Sequence, residues 1–136
     1  LCQLVGRKSL FKVDGDILLL GGYYVLVIFC YLLFETVPIN YRPILIDGRP
    51  EASYPSSTTL LTLSVMPTLI FQAKRRLKST ALKNAVTALS LAFSVFVVLG
   101  RLVSGVHWLT DIIGGALLSV ALFSGYRAAV LFFIKE

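Results

Sequence analysis

Arg101, His107 and Asp111 stand in an order and at a spacing that suit acid–base or nucleophilic chemistry. If a helix begins near His107, then His107 and Asp111 share one face, one turn apart. A carboxylate that accepts from one imidazole nitrogen fixes the tautomer and leaves the other nitrogen as base or nucleophile. An Asp within an apolar stretch long enough to cross a membrane is costly and usually faces a polar cavity. The same spacing also suits a structural His–Asp hydrogen bond at a helix end, with His107 and Trp108 as interfacial anchors.

Two arginines could join that group. Arg42 precedes Pro43 in one loop and Arg101 approaches from another. Two guanidinium groups converging on one point suit a phosphate, through bidentate charge-assisted bonds. The bland reading pairs each with lipid headgroups, or with Asp47 and Glu51. Tyr54-Pro55-Ser56-Ser57-Thr58-Thr59 opens an apolar segment. Proline at a first turn followed by hydroxyl residues is an ordinary helix start, and the free N–H groups of such an end form a ready anion site. Gly21-Gly22 and Gly114-Gly115 suit close helix packing better than catalysis.

The elements that must position these residues are spanning helices. Of the 136 residues, 57% are hydrophobic and only 15% charged, against roughly 25% charged in an average soluble domain. A globule this small cannot hide so much apolar surface, so its solvent is lipid. A spanning helix needs about 20 mostly apolar residues. Ile17 to Phe34, Ser56 to Ala73, Asn84 to Leu99 and Trp108 to Tyr126 meet or approach that length. Few of them show the strict alternation of a membrane barrel strand. The fold class expected is an all-α polytopic membrane helix bundle with about four transmembrane helices.

The formal net charge of +6 could suggest nucleic acid, but the cations cluster between apolar runs, as membrane topology requires. Arg7, Lys8 and Lys12 precede the first span. Lys74, Arg75, Arg76, Lys78 and Lys83 separate the second from the third, and Arg127 and Lys135 follow the fourth. The positive-inside rule makes these segments cytoplasmic. Arg42, the Pro55-Ser56-Ser57 turn, Arg101, His107 and Asp111 then gather at the outer face of a plasma membrane. Cys2 and Cys30 give no disulfide framework. One histidine and two scattered cysteines cannot make a structural zinc site, which takes four ligands.

Together these residues resemble the superfamily of type 2 phosphatidic acid phosphatases and vanadium haloperoxidases. Its pattern is Lys-x6-Arg-Pro, then Pro-Ser-Gly-His, then Ser-Arg-x5-His-x3-Asp. This chain offers Glu35-x6-Arg42-Pro43, then Pro55-Ser56-Ser57-Thr58, then Gly100-Arg101-x5-His107-x3-Asp111. The third signature is the specific one, and GRLVSGVHWLTDIIGG looks like the bacterial membrane branch. Members usually have six membrane helices. The resemblance therefore implies one membrane phosphatase-like domain over 1–136, lacking its first two helices, which fits a chain that opens on Leu1.

What the resemblance implies for chemistry is specific. His107 would be the nucleophile that forms a phosphohistidine, with Asp111 orienting it and raising its basicity. Arg42 and Arg101 would hold the phosphoryl oxygens, and Ser56 with backbone amides around Ser57 would complete the cradle. The substrate would be a lipid phosphate or prenyl pyrophosphate, and the chemistry needs no metal or other cofactor. Three departures from the pattern matter. Ser57 for Gly is mild, whereas Glu35 for Lys places an acid near an anion site. Thr58 stands where the family has its second histidine, the acid for the leaving group. That help is worth roughly 10²–10⁴-fold, so the implied activity is weakened, least for a good leaving group such as pyrophosphate.

Two other classes compete with a membrane phosphatase. A non-catalytic lipid-phosphate binder would keep Arg42, Arg101 and His107 while Thr58 and Glu35 prevent turnover. A small transporter or assembly subunit with an incidental His–Asp pair would tolerate separate replacement of all three.

Overall fold

The computed structural model describes residues 15–134. Four helices account for most of them: α1 (Gly15–Thr36), α2 (Ser57–Arg76), α3 (Thr80–Val103) and α4 (Leu109–Phe133). Each runs past the apolar segment that marks it in the sequence. The cations Lys74, Arg75 and Arg76 form the last turn of α2, where positive side chains oppose the negative end of the helix dipole. Only Leu77–Ser79 remains as the connection, and the Ser79 hydroxyl caps α3 by accepting from the Leu82 amide.

α1, α3 and α4 are each long and apolar enough to cross a membrane. By composition α2 is not one of these, because it carries Ser57, Thr58, Thr59, Thr62, Ser64, Thr68 and Gln72. Its position explains that composition. α2 packs against all three other helices, so its polar side chains meet protein rather than lipid. The bundle is accordingly polar inside: Thr59, Ser64, Thr68, Asp111 and Ser119 are fully buried. Outside it is apolar, with Val25, Phe29, Leu89, Phe96, Leu117 and Phe132 exposed. In lipid every buried polar group must find a partner within the protein.

Those partners form a ladder through the bundle. Tyr24 Oη and Thr68 Oγ1 are 2.7 Å apart, and Tyr23 Oη donates to the Ser64 carbonyl at 3.1 Å. The Tyr23 bond lies within one turn of Pro67, where proline interrupts the backbone ladder of α2. Ser119 Oγ lies 3.0 Å from the Leu60 carbonyl, tying α4 to α2. At the basic end, Gln72 Nε2 donates to Tyr126 Oη, and Arg76 donates to Gln72 Oε1 and to both oxygens of Asp16. Tyr23, Val27, Tyr126 and Val130 fill the apolar space between α1 and α4.

The two glycine pairs differ in role. A Cβ at Gly114 would stand 2.4 Å from the Tyr54 ring, and one at Gly115 would stand 3.1 Å from the Ser56 carbonyl oxygen. This pair lets α4 press against the turn that opens α2. A Cβ at Gly21 or Gly22 would meet nothing within 4 Å, so no described helix packs closely there. Gly114→Ala is expected to destabilise the protein by about 1–3 kcal/mol, the usual cost of overpacking, whereas Gly21→Ala leaves the thermal midpoint unlowered. Thermal unfolding of the two variants in one detergent checks the contrast.

Candidate active site

The site forms where α1 and α3 end and α2 and α4 begin. The 37–56 loop crosses this end as a hairpin, with bridges between Tyr41 and Ala52 and between Ile46 and Arg49. Its tip is Asp47-Gly48, both with positive φ (49° and 75°), the geometry of a two-residue hairpin turn that Asp-Gly favours. The hairpin sets Arg42 opposite Glu51, with the Arg42 amide donating to the Glu51 carbonyl at 3.0 Å. It is pinned to α4 by Trp108 Nε1, which donates to the Tyr41 carbonyl at 2.9 Å. The second loop is short. After α3, Gly105 adopts φ 67°, a left-handed geometry that costs glycine little, and the chain reverses to present His107.

His107 sits just before α4 and is buried. Its Nδ1 lies 3.1 Å from the Ser53 carbonyl and 3.7 Å from Asp111 Oδ2. A carbonyl can only accept, so Nδ1 carries the proton in this contact. Nε2 is then the nitrogen with a free lone pair, and it is buried without a hydrogen-bond partner. Asp111 is fully buried. Its Oδ2 accepts from the Trp108 amide at 2.9 Å, closing the first turn of α4, while Oδ1 has no partner.

The arginines reach the same end with different neighbours. Arg101 Nη2 donates to Thr58 Oγ1, joining the last turn of α3 to the first turn of α2. Arg42 Nε stands 3.2 Å from Glu51 Oε2, an ion pair not aligned as a hydrogen bond. The pairing of Arg42 with Glu51 is the one that the bland reading of its loop foresees. An anion arriving at Arg42 competes with that carboxylate. Arg42, Glu35, Ser53 and Ser57 line one cleft of about 20 Å³, room for about one water.

The turn before α2 divides its hydroxyls. Ser56 is fully buried. Its amide donates to the Asp111 carbonyl at 3.0 Å, and its Oγ accepts from Thr59 Oγ1 at 3.0 Å. Ser57 instead borders the cleft beside Arg42. The amides of Ser57, Thr58 and Thr59 open α2 and have no intrahelical acceptor, so they supply the positive end of a helix dipole to this region. Ser53 is the residue that sequence reasoning missed. It acts through its backbone carbonyl, which no side-chain motif reports; the hairpin signal Asp47-Gly48 was the only clue that Ser53 would be folded back towards the site.

Electrostatics keep His107 neutral. Burial, and then the nearby Arg42 guanidinium, push its pKa below the ordinary 6.5; Arg101 adds to this, while Asp111 and the Ser53 carbonyl act the other way. The neutral form therefore prevails from neutral pH down past 6.5. Because the unfolded chain protonates first, stability falls as pH drops below 6.5 towards the folded-state value. His107 is the only histidine of the chain, so in tag-free protein its imidazole resonances titrate without overlap. The expected midpoint lies below 6.5 and rises in Arg42→Gln. A wild-type midpoint above 6.5 would contradict this electrostatic picture.

The described residues form a helical bundle with three apolar helices long enough to cross a membrane, the mark of a membrane protein, and it carries two arginines, a buried His and a buried Asp at one end. The family model described as the PAP2 superfamily matches residues 21–134, and the chain belongs to that superfamily, the type 2 phosphatidic acid phosphatases. Neither a curated protein nor a solved structure matches the chain.

Proposed function

We propose that the protein is a membrane phosphatase that hydrolyses a lipid phosphate or a prenyl pyrophosphate through a phosphohistidine at His107. The single observation that carries this reading is the buried, unpartnered Nε2 of His107, opposite an Nδ1 held by the Ser53 carbonyl. Membership of a superfamily that typically carries phosphatase activity supports it.

In the first step the Nε2 lone pair attacks phosphorus, the N–P bond forms and the bond to the leaving oxygen breaks. Arg42 and Arg101 stabilise charge on the other phosphoryl oxygens, aided by the amides that open α2. Asp111, 3.7 Å from Nδ1, stabilises the positive charge that grows on the ring. In the second step water attacks phosphorus, the N–P bond breaks, and inorganic phosphate leaves with His107 neutral again. Thr58 has no proton to give readily near neutral pH, so the leaving group departs unassisted or takes a proton from water. Pyrophosphates, whose leaving group is already a weak base, are therefore favoured over alkyl monoesters.

The positive-inside pattern of Lys74, Arg75, Arg76 and Lys78 supports a site on the extracytoplasmic side of the plasma membrane. The test is phosphate release by detergent-solubilised protein from phosphatidic acid and from a prenyl pyrophosphate. Release from the pyrophosphate should be the faster of the two. Binding of both lipids without release would instead favour a lipid-phosphate binder on the same scaffold, for which Thr58 is the supporting observation.

A further inference from the structure

At the end of the bundle opposite His107, a groove of about 700 Å³ opens between α3 and α4, with α2 as its floor. Pro67, Ile70, Phe71, Leu91 and Phe123 make it apolar, and Lys74, Arg75 and Arg127 stand along it. We propose that this groove binds an anionic phospholipid of the membrane leaflet opposite the His107 site. One acyl chain would lie along the apolar floor and the phosphate between Lys74 and Arg127.

Depth supports the assignment. α2 and α4 both run from the His107 end to the basic end. At 1.5 Å per residue, Lys74 and Arg127 lie roughly 25 and 27 Å along their helices. The cations therefore share one level, near the far edge of a hydrocarbon core about 30 Å thick. Pro67 lies roughly 10 Å above Lys74, so the apolar part of the groove occupies a single leaflet.

Charge selects the occupant. Arg75 Cζ stands 5.7 Å from the centroid of the Phe71 ring, which meets Phe123 edge-on at 6.4 Å. The guanidinium is thus held over the apolar floor. Among the described residues no acid borders the groove, and the nearby Asp16 is engaged by Arg76. Topology alone accounts for basic residues at this end, such as Lys78 and Lys83. Lys74 and Arg127 differ from those two in lining an apolar groove of ligand size.

Native mass spectrometry of the full chain, with phosphatidylglycerol and phosphatidylcholine as probes, tests the proposal without reference to catalysis. Wild-type protein should retain phosphatidylglycerol in preference. Lys74→Gln with Arg127→Gln should lower that preference by at least about fivefold. Leu91→Trp, which fills the groove and spares the cations, should weaken phosphatidylglycerol binding, and Lys83→Gln should leave it unchanged. Equal retention of the two lipids overturns the proposal. So does a loss in Lys83→Gln as large as that in the double variant, or undiminished binding in Leu91→Trp.

Discussion

His107→Ala is expected to reduce phosphate release by at least about 10⁴-fold, because removing a nucleophile removes the covalent route and not one contact among several. The geometry makes the expectation sharp. Nε2 has no hydrogen-bond partner, so no structural bond is lost from the nitrogen assigned to attack. The contact of Nδ1 with Ser53 is lost, and Ala also leaves a small void beneath the hairpin. His107→Gln fills more of that space and keeps a polar atom near Ser53, yet supplies no nucleophile. Both variants should be inactive, with His107→Gln the closer to wild type in thermal stability. Activity retained in either, with the protein folded, would remove His107 from the reaction.

Thr58→His is expected to raise hydrolysis of an alkyl phosphomonoester by roughly 10²–10⁴-fold, the usual worth of a positioned general acid. The gain on a prenyl pyrophosphate should be smaller, since its leaving group needs less help. Thr58 stands in the first turn of α2 and accepts from Arg101, so a side chain at this position meets the same group that would hold phosphoryl oxygens. An imidazole is larger than a threonine hydroxyl and must share that space with the guanidinium. The substrate dependence separates the two effects. A gained acid discriminates between leaving groups, whereas a displaced Arg101 slows both substrates alike. No change on either substrate would count against position 58 as the place of the acid.

Much of the bundle was legible because lipid imposes a simple rule on sequence. Apolar runs of spanning length mark α1, α3 and α4, and the basic clusters between them set which ends lie together. α2 was harder to read, because its many hydroxyls lower its hydropathy; they are there because α2 is the central helix and faces protein on several sides. The juxtaposition of Arg42, the Pro55-Ser56-Ser57 turn, Arg101, His107 and Asp111 at one end followed from that topology. What the sequence could not convey was how each group is held. Spacing pairs His107 with Asp111, but the closer partner of Nδ1 is a backbone carbonyl 54 positions away in the chain. Asp111 also closes the first turn of its own helix. Arg42 likewise has a local carboxylate neighbour, Glu51, set by a hairpin that hydropathy does not report.

The same contacts say where control of the site lies. Ser56 and Gly115 fix α4 against the opening turn of α2, through a hydrogen bond from the Ser56 amide to the Asp111 carbonyl and a backbone approach that a Cβ would crowd. A change there moves Asp111 and the first-turn amides together, so it should lower turnover without altering which groups titrate.

The most direct measurement is a rapid quench of the protein mixed with a prenyl pyrophosphate carrying ³²P in its terminal phosphate. The expected result is a transient label on His107 that is lost in acid and survives alkali, as a phosphorus–nitrogen bond does, and that is absent from His107→Ala. Phosphate release with no such label at any time point would contradict a phosphohistidine and leave His107, at most, as a base for water.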